Sequence, residues 1–140
     1  MQTSTVDVVT APRQHSRLVR TGSVLSGMAI LFLGFDAAMK VVRAAPAVAA
    51  TIELGYDGRL VATIGLLELV CLAVYALPPT SVVGAVLLTG YLGGAVATHL
   101  RAGSPVASQT LFPVYVALFV WGGLVLRDAR LRELLPRRAR

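Results

Sequence analysis

The sequence of 140 residues holds one cysteine, one tryptophan and one lysine, and very little charge of either sign. Cys71 alone cannot form a disulfide within the chain, a CxxC redox pair or a cysteine zinc site. The two histidines are His15, in a polar N-terminal stretch, and His99. One histidine near the apolar segments excludes bis-histidine haem ligation and leaves no metal site to expect. Charged residues make up 14% of the chain, against about a quarter in soluble domains. Hydrophobic residues reach 56%, more apolar surface than a soluble sphere of this size can hide from water. These scarcities describe a membrane protein.

What is present is arranged in four apolar stretches. They lie at about 22–43, 60–77, 81–100 and 110–126 and together form a membrane domain over 22–127. Basic tails flank them: 1–21, expected to be disordered, and the amphipathic 128–140. A secretory leader is the rival reading of the first stretch, but removing it would leave unpaired charges on the other spans. The second stretch, LVATIGLLELVCLAVYAL, contains one charge, Glu68, among ten Leu, Ile and Val residues. At about −0.3 to −0.6 kcal/mol for each of those against roughly +3 for the acid, its insertion is narrowly favourable. Pro78 and Pro79 end it, and Pro113 falls in the first turn of the fourth span, where a missing N–H costs little. Between the first two spans, Pro46 and Gly55 bracket a short helix over Ala47–Leu54 that suits the membrane interface. The expected fold is all-α: an antiparallel four-helix transmembrane bundle with one short interfacial helix.

Nine of the thirteen basic residues (Arg13, Arg17, Arg20, Arg127, Arg130, Arg132, Arg137, Arg138 and Arg140) adjoin the chain ends. The positive-inside bias therefore predicts cytoplasmic termini. It also makes the arginines partners of anionic headgroups in the lipid bilayer, with no nucleic acid implied. With that topology Asp36 lies about 10 Å inside the outer end of span one, and Glu68 about 12 Å inside that of span two. Lys40 stands one turn above Asp36, His99 and Arg101 cap span three, Tyr91 is two turns below His99, and Tyr115 is five residues into span four.

All of these fall in the outer half of the bundle, and the inner half is almost purely apolar. Charges at such depth turn inward, pair or line a watery cavity. Asp36, Lys40, Glu68, Tyr91, His99, Arg101 and Tyr115 are thus candidates either for a structural ion-pair network or for an outward-opening polar pocket. Cys71 reads as an inert packing residue. Gly90 and Gly94 form a GxxxG, and Thr89/Gly93 and Gly122/Gly123 add small residues that permit close helix approach. Ala95 leaves a notch between Tyr91 and His99 that a neighbouring helix is expected to fill.

The runs LFLGFDAAMKV, IGLLELVCLAVYALPPTSVVGAVLLTGYLGGAVATHLRAGSP and LFPVYVALFVWGGLVLRDARLRELLP closely resemble the DoxX-like family of small four-helix bacterial membrane proteins, over about residues 22–136. The resemblance rests on Asp36 and Lys40, the LLE at Glu68, GYLGGAVATH through His99 and LFPVY through Tyr115. It implies a link to the wider DoxX group, named for a membrane subunit of a thiosulfate:quinone oxidoreductase and associated with redox complexes and oxidative stress. On that basis a quinone headgroup would enter the polar half, with Glu68, His99 or Tyr91 as hydrogen-bond or proton partners. The chain has no flavin, haem or thiol pair of its own, so a redox partner subunit would supply the electrons.

Three functions follow as expectations. The first is an accessory or quinone-interacting subunit of a redox assembly in the bacterial plasma membrane. The second is a small-molecule or lipid binding or transport protein. The third is an enzyme acting through Asp36, Glu68 and His99. A homodimer is compatible with the small bundle.

Overall fold

The computed structural model describes residues 7–134, with side chains from 16 to 133. Its helices are α1 (Asp7–Val41), α2 (Ala45–Glu53), α3 (Val61–Ala76), α4 (Ser81–Arg101), α5 (Phe112–Arg127) and α6 (Ala129–Leu134). No strand forms among the described residues. Four segments are long and apolar enough to cross a membrane: Ser16–Val41, Gly58–Ala76, Pro78–Arg101 and Val106–Arg127. The all-α, four-span architecture expected from the sequence is the one observed. Lipid offers backbone groups no partners, and the helix satisfies them all internally.

Neighbouring spans run antiparallel, as three backbone approaches show. Gly22, near the start of the Ser16–Val41 span of α1, abuts Gly123 and Arg127 at the end of α5. Gly65, early in α3, abuts Ala37 and Lys40 late in α1. Gly84, early in α4, is pressed against the backbone of Tyr75 late in α3. Going round the bundle the order is α1, α3, α4, α5, and each span packs on two others. One end of the bundle carries both described termini; the other carries α2 and the turn at Val106–Thr110. We call these the terminal end and the loop end.

Local sequence sets the breaks. Leu77 takes an extended conformation (ψ 120°) before the Pro78–Thr80 turn, as a residue preceding proline must. Pro46 sits in the first turn of α2 and Pro113 in that of α5. Arg43 and Gly55, with φ of 56° and 83°, bend the chain into and out of α2.

The core is a seam of Ala29, Leu33, Leu72, Tyr75, Ala85, Leu88, Val120 and Leu124. Leu31, Phe35, Val83, Val86 and Leu118 face outward and stay more than half exposed, as side chains solvated by acyl tails can. With lipid as apolar as leucine, close packing and hydrogen bonds hold such a bundle together.

The amphipathic C-terminal tail forms α6, with Leu131 packed on the core; Arg137, Arg138 and Arg140 lie outside the described residues. Three expectations need revising. The tail over 1–21 continues as helix from Asp7, because extending a helix already nucleated by a span costs little per residue; residues 1–6, and the side chains of Arg13 and His15, lie outside the described residues.

The half at the terminal end, expected to be almost purely apolar, is not. Tyr75 is fully buried there, donates to the Val120 carbonyl (2.9 Å) and accepts from Ser26 (2.9 Å), with the Arg127 guanidinium 5.3 Å from its ring. Arg127 also donates to Ser81 Oγ (3.0 Å). Finally, the glycines that permit close approach are Gly22, Gly65, Gly84 and Gly123. A Cβ on Gly90, Gly93, Gly94 or Gly122 would meet nothing within 4 Å.

Gly84→Ala is expected to lower the thermal unfolding temperature of the detergent-solubilised protein, because its methyl group would overlap the Tyr75 backbone at a cost of about 1–3 kcal/mol. Gly90→Ala, facing open space, is expected to leave that temperature unchanged or raise it. Equal unfolding temperatures for the two variants would contradict the helix packing described here.

Candidate functional site at Lys40 and the cavity beside it

Lys40 occupies the last turn of α1, where a cation suits the negative end of the helix dipole. Its Nζ donates to Asp36 Oδ2 (2.5 Å), Glu68 Oε2 (2.9 Å) and Tyr91 OH (3.0 Å). An ammonium has three hydrogens, so Lys40 is saturated. Tyr91 in turn donates its hydroxyl to Glu68 Oε2 (2.8 Å). One lysine thereby ties α1, α3 and α4 together.

Gly65 makes this possible. It lies one helical turn before Glu68, and its missing side chain lets α1 come within van der Waals contact of α3 at the level of the cluster. No small-residue spacing along α3 marks it. A glycine one turn from a buried charge is the signal that points to it, since charge pairs inside a membrane require close helices.

The Glu68 side chain is 0% exposed, Lys40 is 19% and Asp36 43%. Both oxygens of a carboxylate accept hydrogen bonds, yet Glu68 Oε1 is buried with no partner among the described residues. Glu68, fully buried, stands among the residues around a cavity of about 790 Å³ between α1, α3, α4 and α5, with α2 at its loop end. Phe32, Leu33, Ile64, Cys71, Leu92 and Val116 supply apolar wall. Leu67, Val86 and Leu87 line it as well while remaining 56%, 57% and 43% exposed, so the cavity opens sideways between α3 and α4 toward the lipid. Those two helices touch at Gly84 and Tyr75, beside their connecting turn. Further along, Gly90 and Gly94 line the cavity in place of making a helix contact.

Five of the seven candidate residues, Asp36, Lys40, Glu68, Tyr91 and His99, line this cavity. His99 stands apart from the cluster and pairs through Nδ1 with Ser104 Oγ (3.1 Å). The notch at Ala95 between Tyr91 and His99 opens into the cavity and is not filled by another helix. Cys71 is a buried core residue that also meets the cavity.

Arg101 and Tyr115 are not among the lining residues. Arg101 donates to the Leu54 carbonyl (2.9 Å) and stands 5.8 Å over the Tyr56 ring. Tyr56 pairs with Thr98 (3.0 Å). These contacts fasten the C-terminal end of α2 to α4. Tyr115 reaches only the Ala107 carbonyl, at 3.4 Å. Their separation from the cluster follows from helix phase, which spacing along a single span does not reveal. Among the described residues no group of three His, Cys, Asp or Glu side chains converges as a metal site.

A family model described as the DoxX-like family matches residues 24–123, a stretch that contains the whole cluster and every residue lining the cavity. No curated protein and no solved structure matches the chain.

Lys40→Met is expected to destabilise the bundle by about 3–5 kcal/mol, since it leaves the buried Glu68 carboxylate without its counter-ion. Adding Glu68→Gln should restore a large part of that loss. Chemical unfolding of both variants in detergent micelles measures it, and strictly additive losses would show that the two side chains are not paired.

Proposed function

The chain belongs to the DoxX-like family, and from that membership and the geometry of the cavity we propose that it acts as an accessory, quinone-interacting subunit of a membrane redox assembly. The observation that carries this reading is a charged, hydrogen-bonded cluster of Asp36, Lys40, Glu68 and Tyr91 beside a cavity of about 790 Å³ whose wall is otherwise chiefly apolar. Cavities of roughly 300–1,000 Å³ with a few convergent polar groups suit small organic ligands. The residues present fit a quinone: Glu68, Tyr91 and His99 would hold the ring, and Leu67, Val86 and Leu87 would take the tail where the cavity meets lipid.

A quinone supplies electron-transfer chemistry when bound, with the electrons drawn from a partner subunit. The contribution of this chain is to bind and to orient. Lys40 neutralises the carboxylate charge that the site requires in an apolar medium, and it fixes the Tyr91 hydroxyl against Glu68. Ser104 fixes the His99 ring. Helix α2, tied down through Arg101 and Tyr56, closes the loop end against water. A second reading, binding or carriage of a lipid or other small amphiphile, is favoured by the sideways opening between α3 and α4. The arginines near the chain ends support cytoplasmic termini, and the family, together with twelve arginines against one lysine, supports a bacterial plasma-membrane location.

Protein extracted with its native lipids is expected to carry quinone in stoichiometric amount, measured by mass spectrometry and ultraviolet absorbance. Gly90→Leu, which would fill the cavity without touching the cluster, should lose it. A stoichiometric phospholipid or solute in its place would favour the second reading, and wild-type protein with an empty cavity would remove both. A C-terminal green fluorescent protein fusion should fluoresce in cells; a dark fusion matched by an active periplasmic reporter at the same position would reverse the topology.

A further inference from the structure

Helix α2 is lightly anchored for an element that covers a cavity. Thr51 is its one buried residue, and the Thr51 hydroxyl is spent within the helix, donating to the Ala47 carbonyl (2.7 Å). Ala47, Ala50, Thr51 and Leu54 line the loop end of the cavity, and three of these four are small. What fastens α2 to a span lies at its C-terminal end: Arg101 donates to the Leu54 carbonyl, its guanidinium stands over the Tyr56 ring, and Tyr56 pairs with Thr98. Both hydrogen bonds are exposed, so water competes for them. Few buried contacts and exposed hydrogen bonds mark a segment that opens locally at low cost.

The chain also turns sharply on either side of α2, at Arg43 (φ 56°) and Gly55 (φ 83°). Hinges are residues of this kind, at the ends of elements, which absorb a change of φ and ψ while the helix between them moves as a body.

From these observations we propose that α2 is a hinged lid over a second, aqueous entrance to the cavity, with Arg101, Tyr56 and Thr98 as its latch. The window past Leu67, Val86 and Leu87 meets lipid and suits apolar molecules. At the loop end the wall carries Tyr56, Thr98 and His99, hydroxyl and imidazole groups that replace part of the hydration a small polar molecule gives up on entering. Release of the latch brings a water-soluble molecule to the level of Tyr91 and Lys40 without a passage through lipid. Polar and apolar species thereby reach the site by different doors. The proposal deepens the proposed function and rests on it only in using the same cavity.

The test places a reporter thiol in the cavity by Ala95→Cys, with the native thiol removed by Cys71→Ala. The full chain in lipid nanodiscs is treated with the charged reagent trimethylammonium-ethyl methanethiosulfonate, which does not cross lipid, or with the neutral, lipid-soluble N-ethylmaleimide. Mass spectrometry follows the rate of modification. Glu53→Cys in the same background, at an exposed position of α2, gives the rate of a freely accessible thiol. In the latched protein the charged reagent should reach position 95 about tenfold or more slowly than position 53. Arg101→Ala combined with Thr98→Val should raise the rate at position 95 about tenfold, the effect of losing two hydrogen bonds, one of them from a charged donor. The N-ethylmaleimide rate should stay nearly unchanged. Tyr56→Phe, which removes one hydroxyl, should give a smaller rise in the same direction and decides the matter if the double variant does not fold.

An unchanged charged-reagent rate in a folded latch variant, or an equal rise for both reagents, overturns the lid; so does a thiol at position 95 that reacts as fast as one at position 53 in the latched protein. None of these touches the quinone reading. A latch-dependent rate in protein that carries no quinone from its native lipids retires the quinone reading and leaves the lid standing. A thiol at position 95 that neither reagent reaches in any variant removes the cavity, and both with it.

Discussion

A lone ammonium placed among three helices in an apolar medium is the constraint around which the loop-end half of this protein is arranged. Removing charges from water is expensive, and attraction between them compensates only when geometry is close and the remaining hydrogen-bonding capacity is filled. Lys40 meets that condition with three acceptors at 2.5–3.0 Å. Meeting it requires α1 and α3 to approach at Gly65, and it requires a long side chain, Tyr91, to cross from α4. The cluster therefore sets the distance between α3 and α4 at this level. It holds them apart by the length of a tyrosine and an acid, where two glycines in contact would have drawn them together.

That spacing explains why one bundle has two unlike halves. At the terminal end the helices pack backbone to backbone through Gly22, Gly84 and Gly123, and the buried Tyr75 hydrogen bonds to α1 and α5. Such contacts are rigid because neither a glycine nor a saturated phenol offers an alternative rotamer with equal bonding. At the loop end α1 and α3 stay in contact at Gly65, Tyr91 reaches across from α4, and a cavity remains beneath α2. The stiff half supports the open one: α3 and α4 leave the Pro78–Thr80 turn in contact at Gly84 and Tyr75, and further along both line the cavity. A binding site built this way keeps its polar groups fixed while its lateral opening stays in lipid.

Much of this was legible in the amino-acid order. The four spans and the short helix after the first follow from uninterrupted apolar runs and from Pro46, Gly55, Pro78 and Pro79. The convergence of Asp36, Lys40 and Glu68 follows from the cost of a charge facing acyl chains. Tyr91 was visible as a polar ring on the same level. Other readings failed for a common reason. Tyr75 and Tyr115 look alike along the chain, each a tyrosine near the end of a span, yet one is a buried hub and the other reaches only a loop carbonyl. Gly90 and Gly94 have the spacing of a helix-contact motif but face a void, while Gly65 and Gly84, which no motif marks, carry the contacts. Arg101 has the charge to pair with Glu68 and instead fastens α2.

Composition and hydropathy were enough to establish membrane residence, the number of crossings and the depth at which charge is buried, because each of these is a property of one segment against its solvent. Rotation of each helix about its own axis is a property of pairs of segments. Whether a glycine meets a backbone or a cavity, which tyrosine reaches which carboxylate, and which oxygen of Glu68 is left without a donor all depend on that rotation. They were set when the four spans packed together, by steric fit at a few glycines and by the demand of one lysine for three partners.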